Sequence, residues 1–77
     1  SNKTVLFQIN SEIFLPNELK NYKPKIENGN LKITYDKNII SLKEIIDILN
    51  KNKISFQEIN TYESDLEDIF IKLVKGI

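Results

Sequence analysis

Acidic side chains cluster near the end of the chain, where Glu63, Asp65, Glu67 and Asp68 fall within six residues. Carboxylate oxygens are the ligands that Ca²⁺ and Mg²⁺ prefer, so the cluster could hold a divalent cation. Acidic residues are also common at the start of a helix, where they cap it and complement its dipole. The cluster lacks the regularly spaced ligands of a calcium-binding loop, so we favour the capping interpretation. We predict no catalytic, cofactor-binding or metal-ligating residue in this chain.

The residue types that the chain lacks exclude several other kinds of binding site. It has no His, Cys or Arg, and its 11 basic residues, all Lys, balance 11 acidic ones. Without His and Cys, the usual zinc, copper and iron–sulfur sites are excluded. Without Arg, bidentate recognition of phosphate or guanine is lost, and zero net charge argues against nucleic acid as a partner. The lack of cysteine fits a reducing, cytoplasmic location.

Three tyrosines, Tyr22, Tyr35 and Tyr62, raise one further possibility. On a sheet surface, aromatic rings can stack on the bases of single-stranded RNA. The neutral chain and the missing Arg are unlike such a protein, so we interpret the tyrosines as packing residues.

The length of 77 residues is that of a single domain with one small core. No apolar run approaches the roughly 20 residues that span a bilayer, so we expect no insertion into a membrane. Ser1 and Asn2 are compatible with the remnant of a cleaved purification tag, in which case residues 1–77 are one domain excised from a longer protein.

The first third of the chain predicts one strand and leaves one segment open. Val5, Phe7 and Ile9 alternate with other residues, which predicts a strand over residues 3–10. Leu6, on the other side of this strand, suggests that its second face is also covered. Pro16 could begin a short helix over residues 17–22, and a plain loop is the equal alternative. The apolar contacts of such a helix would come from Ile13, Phe14, Leu19 and Tyr22.

A β-hairpin is predicted around Asn28-Gly29, because the tight turns that suit hairpins need positive φ angles. Its strands would be residues 25–28 and residues 31–36. Leu31, Ile33 and Tyr35 would share one face of the second strand.

A helix is predicted to begin after Ser41. Ser41 and Glu44 have the spacing of a capping box, in which the serine hydroxyl accepts from the third helical amide. The apolar positions that follow have helical spacing. They are Leu42, Ile45, Ile46, Ile48 and Leu49.

Residues 54–62 predict a strand whose alternation is imperfect. Ile54 and Phe56 share one parity, whereas Ile59 has the other. A bulge near Gln57 and Glu58 would return Ile59 to the buried face, or both faces are partly covered.

A second capped helix is predicted to begin after Ser64, with an apolar stripe formed by Leu66, Ile69, Phe70, Leu73 and Val74. The predicted order resembles β-α-β-β-α-β followed by a helix. We therefore expect an α+β fold of the ferredoxin-like type, an antiparallel sheet with helices on one face and a C-terminal helix.

Residues 59–76 resemble the ending of many bacterial ABC transporter ATP-binding subunits of the export and drug-resistance type. Those subunits often end in the pattern Glu-x-Ser-Leu-Glu-Asp-x-Phe-x-x-Leu. In this chain Asp65 follows Ser64, which displaces the serine by one position from the commonest form. The match is carried by Glu63, Ser64, Leu66, Glu67, Asp68, Phe70 and Leu73.

The resemblance implies a C-terminal accessory domain that follows the ATP-binding domain and takes part in regulation, dimer contacts or coupling to the membrane subunit. Its partners would be the parent ATPase domain, a second ATP-binding subunit and the transporter membrane subunit, at the inner face of the cell membrane. The parent would use ATP and Mg²⁺. This chain has only two glycines and no phosphate-binding loop, so we expect no cofactor and no enzymatic activity of its own.

A stand-alone small-molecule sensor of ferredoxin-like fold is the alternative function. It rests on analogy between folds alone, which is a weak basis for assigning function.

Overall fold

The computed structural model of this chain describes residues 2–63. The elements follow in the order β1 (Asn2–Gln8), a 3₁₀ helix (Asn17–Tyr22), β2 (Lys25–Glu27), β3 (Asn30–Asp36), α1 (Leu42–Lys51) and β4 (Glu58–Glu63). The α+β class is confirmed, while the helix expected after Ser64 lies outside the described residues. The first predicted helix is a short 3₁₀ helix that follows Pro16, so the loop alternative is wrong.

The four strands form one sheet in the order β2-β3-β1-β4, and every neighbouring pair is antiparallel. Val5 of β1 lies opposite Ile33 on one side and Thr61 on the other, which fixes the register of the three longest strands. Since β1 and β2 both run antiparallel to β3, they run in the same direction with β3 between them.

The predicted hairpin is confirmed between β2 and β3. Asn28 and Gly29 have φ angles of 50° and 78°, the positive values that a tight hairpin turn requires. A Cβ at Gly29 would lie 3.7 Å from the Ile9 carbonyl oxygen, an ordinary contact. The glycine is therefore favoured by its backbone angle rather than by lack of space.

The sheet has one apolar face, the core face, which carries Val5, Phe7, Leu31, Ile33 and Tyr35. Leu19 of the 3₁₀ helix and Ile45 and Leu49 of α1 join the same buried cluster, so both helices pack on this face. The opposite face of the strands, the polar face, carries Thr4, Leu6, Lys32, Thr34 and Tyr62.

Helix α1 begins as predicted. The Ser41 hydroxyl accepts a hydrogen bond from the Glu44 amide at 3.2 Å. At the other end, the Ile48 carbonyl accepts two hydrogen bonds from Asn52, one from the backbone amide at 3.1 Å and one from the side chain at 2.8 Å.

The strand predicted over residues 54–62 is shorter than expected, because β4 begins only at Glu58. Ile54 is buried and Phe56 half-buried, but both lie in the connection from α1 and pack against the core from there. The ring of Phe56 meets Phe7 edge-on with 5.1 Å between centroids. The change of parity at Ile59 thus reflects the start of the strand, and the proposed bulge is not needed.

Candidate functional site

Of the motif residues that carry the family resemblance, the structure describes only Glu63. It is the last residue of β4, and its Oε1 lies 3.3 Å from Lys37 Nζ. The other motif positions lie outside the described residues. They are Ser64, Leu66, Glu67, Asp68, Phe70 and Leu73.

An exposed apolar loop, residues 13–15, is the most unusual surface of the described chain. It lies in the connection between β1 and the 3₁₀ helix. Phe14 is 99% exposed and Leu15 is 42% exposed, whereas Ile13 packs against the core. A large apolar side chain that is left almost wholly in solvent is a candidate for contact with another protein.

The exposed apolar loop does not have the role that was predicted for Phe14. Phe14 was expected to supply apolar contacts for the short helix, and this expectation is wrong because its side chain points into solvent. Leu19, Tyr22 and Ile13 supply those contacts instead. Pro16 favours an extended conformation at Leu15, and extended residues alternate in direction. Alternation puts Ile13 and Phe14 on opposite sides of the segment, but it does not say which of the two faces the core.

Two shallow grooves flank the exposed apolar loop. The larger, of about 470 Å³, is lined by Ile9, Asn10, Ser11, Glu12, Ile13, Ile26 and Gly29. The smaller, of about 290 Å³, is lined by Ser11, Glu12, Ile13, Phe14, Asn52, Lys53, Ile54 and Ser55. Both are open to solvent, so they can receive side chains of a partner beside the protruding Phe14.

Among the described residues, three side chains have a shifted pKa, and each shift favours the protonation state that the group ordinarily has at neutral pH. Hydrogen bonds from Lys51 Nζ at 3.0 Å and from Asn52 lower the pKa of Glu18 and favour its carboxylate. The hydrogen bond to Asp47 raises the pKa of Lys43 and favours its ammonium. Burial, followed by the charge of Glu63, raises the pKa of Tyr35 and favours its neutral phenol. These groups stabilise the surface and the core edge.

The tyrosines do not share a surface. Tyr35 lies opposite Lys3 and Tyr62 lies opposite Thr4, so these two point to opposite faces of the sheet. Tyr22 lies in the 3₁₀ helix and packs against the core. A common stacking platform for RNA bases is therefore ruled out.

Within residues 2–63, no three His, Cys, Asp or Glu side chains come together in a way that could hold a metal ion. In the same range, no helix has the length and apolar character needed to cross a membrane. Comparison with known proteins adds no relative, since no family model, no curated protein and no solved structure matches this chain.

Proposed function

We propose that this chain is a non-catalytic regulatory or interaction domain of an ABC transporter ATP-binding protein. The observation that carries the proposal is the resemblance of residues 59–76 to the ending of that family. The motif begins at Glu63, the last residue of β4. In this proposal the domain supports ATP-driven export from the cytoplasmic side, through dimer contacts or through coupling to the membrane subunit.

The arrangement of the strands supports a ferredoxin-like variant as the scaffold. In the sheet, β3 lies between the parallel strands β1 and β2, and β1 lies between the parallel strands β3 and β4. Each pair of parallel strands with the strand between them is a split β-α-β unit, and two such units share one antiparallel sheet. Helix α1 connects β3 to β4, whereas only the 3₁₀ helix lies between β1 and β2. We propose that this chain is such a fold with a shortened first helix.

The exposed apolar loop supports a role in contacts between proteins. Removing a Phe side chain from water stabilises a complex by about 1.5–3 kcal/mol, and Phe14 is almost wholly in water here. Such a residue contributes nothing to the core of its own domain. We therefore propose that Phe14 is an anchor for the parent ATPase domain or for the membrane subunit.

The test uses the parent protein, in which Phe14→Ala is compared with Ile39→Ala. Ile39 is 78% exposed but lies between β3 and α1, away from the exposed apolar loop. We expect Phe14→Ala to weaken dimerisation or to uncouple transport from ATP hydrolysis, and Ile39→Ala to do neither. Deletion of the whole domain should have a larger effect. Unchanged ATPase activity, dimerisation and transport after deletion would refute the proposal.

The alternative, a small-molecule sensor, is favoured by the larger groove, where Ile9, Ile13 and Ile26 line a concave surface. A thermal-shift screen of amino acids and nucleotides separates the two functions. A ligand at 100 times its dissociation constant stabilises the folded state by about 2.7 kcal/mol. A rise in melting temperature with one ligand class would favour the sensor, and no rise would favour the interaction domain.

A further inference from the structure

The edge strand β2 presents backbone groups that its own sheet does not use. In a hairpin with a two-residue turn, the residues that flank the turn form a hydrogen-bonded pair, here Glu27 and Asn30. The next pair, Ile26 with Leu31, is then non-hydrogen-bonded. The amide and carbonyl of Ile26 therefore point away from β3, toward the open edge of the sheet.

We propose that this edge pairs with β2 of a second copy of the chain, giving a two-fold symmetric dimer with a continuous sheet. Antiparallel pairing centred on Ile26 places Ile26 opposite Ile26, and the two residues exchange both backbone hydrogen bonds. This inference does not rest on the transporter proposal.

The charges of β2 suit a second copy of itself. In the centred antiparallel register, Lys25 of each copy lies opposite Glu27 of the other. Both side chains are well exposed, and within one chain they lie 3.6 Å apart. Opposite charges directly across two strands stabilise the pairing, so the dimer gains two such pairs by symmetry.

The flanking residues allow only this register. Pro24 has no amide to donate, and Lys23 before it has a left-handed φ of 47°. On the other side the chain turns at Asn28, whose φ is 50°. Pairing is thus confined to the three residues of β2, and it closes as a dimer.

Apolar contact adds to the backbone pairing on the core-face side. Ile26 lies opposite Leu31, so its side chain, 45% exposed, points to the same side as the core. It also lines the larger groove with Ile9 and Ile13. In the dimer the two Ile26 side chains meet at the two-fold axis and bring the two grooves together.

The other edge strand, β4, is less suited to self-pairing. Its only charged residues are both acidic, Glu58 and Glu63. Two β4 strands would therefore gain no attraction between opposite charges, whereas two β2 strands gain two such pairs.

We expect a weak dimer, because three residues per strand form an interface below the roughly 1,200 Å² of standard complexes. We therefore expect a dissociation constant of about 0.1–1 mM. Sedimentation equilibrium of the 77-residue chain at low salt, at concentrations up to about 2 mM, should therefore show reversible dimers.

Charge reversal provides the test of the register. Lys25→Glu alone and Glu27→Lys alone each turn two attractive pairs into repulsive ones and should raise the dissociation constant about tenfold. Mixing these two variants should restore association as a heterodimer, and Lys25→Glu/Glu27→Lys in one chain should dimerise like the wild type. Lys43→Glu on α1, another exposed lysine, is the control and should have no effect.

Ile26→Pro removes the outward amide while leaving the pairing with β3, and should abolish the dimer. Circular dichroism of each variant shows that the fold is retained. A wild-type chain that stays monomeric at the highest concentration, or variants whose mixture associates no better than either alone, would overturn the proposal. Either result would leave the accessory-domain proposal standing, since that is tested in the parent protein.

Discussion

The two faces of the sheet use the same strands but differ in what their side chains contribute. On the core face, Leu31 and Ile33 of β3 are completely buried, and the side chains of both helices cover them. On the polar face, Lys32 and Thr34 of the same strand are only partly buried. Alternate residues of β3 thus have different roles: those on the core face stabilise the fold by packing, and those on the polar face are partly exposed.

Thr4 is the exception on the polar face, because it is only 2% exposed. It lies on the central strand with Thr34 and Tyr62 as its neighbours across β3 and β4. The Thr4 hydroxyl lies 3.4 Å from that of Thr34. Among residues 2–63, the polar face thus shows contacts between strands, whereas the core face packs against helices.

The largest expected difference between the faces is in the cost of removing a leucine. Leu31→Ala on the core face should destabilise the chain by about 2–5 kcal/mol, because it leaves a cavity in a fully buried cluster. Leu6→Ala on the polar face makes the same chemical change at a half-buried position and should cost less than about 1 kcal/mol. Urea denaturation of both variants measures the difference.

The size of the domain sharpens this test. A chain with so small a core has a total stability of only a few kcal/mol, so Leu31→Ala should leave a large unfolded fraction without denaturant. Ile33→Val, expected to cost about 0.5–1.5 kcal/mol, keeps the measurement in range. Equal losses for Leu31→Ala and Leu6→Ala would show that the polar face is packed as tightly as the core face.

The separation of the two faces was predictable from the sequence wherever local rules and tertiary packing agree. The alternation in β3, the turn at Asn28 and Gly29 and the cap at Ser41 each have a local physical cause, and all three are confirmed. The start of β4 was not predictable in this way. Phe56 looks like a strand residue in the sequence, yet it reaches the core from a connection, and only the tertiary packing against Phe7 decides this.

The candidate site was predicted less well than the fold. The motif that carries the family resemblance reaches the described residues only at Glu63. The exposed apolar loop was missed, because an apolar side chain next to a predicted helix is expected to pack, and Phe14 does not. Periodicity identifies which residues can be buried together. It does not identify an apolar residue that is left in solvent for a partner.

A smaller effect is expected from the hydroxyl pair of the polar face. Thr4→Val removes a buried hydroxyl next to Thr34 and should cost about 1 kcal/mol. In a double-mutant cycle with Thr34→Val, we expect a coupling of about 0.2–1 kcal/mol between the two positions. Thr61→Val, at an exposed position of β4, is the control and should have little effect. Strictly additive losses at Thr4 and Thr34 would show that the hydroxyls do not interact.

The smallest effect concerns the edge of the core face, where burial and the charge of Glu63 raise the pKa of Tyr35 above its ordinary value of 10.0. A pKa that is higher in the folded state means that the folded chain holds the phenol proton more tightly than the unfolded chain does. This stabilisation is complete below pH 10 and is lost as the pH rises through the pKa of the folded state.

Tyr35→Phe isolates this contribution, because both chains share the same lysines and the other tyrosines. The free energy of unfolding should differ by a constant amount between wild type and Tyr35→Phe from pH 7 to 9, where the phenol stays protonated in both states. Above pH 10 the wild type should lose stability faster than the variant. Glu63→Gln should make this alkaline loss smaller, since it removes the charge that opposes ionisation of Tyr35. Parallel stability curves for wild type and Tyr35→Phe up to pH 11 would show that the core face does not hold this proton.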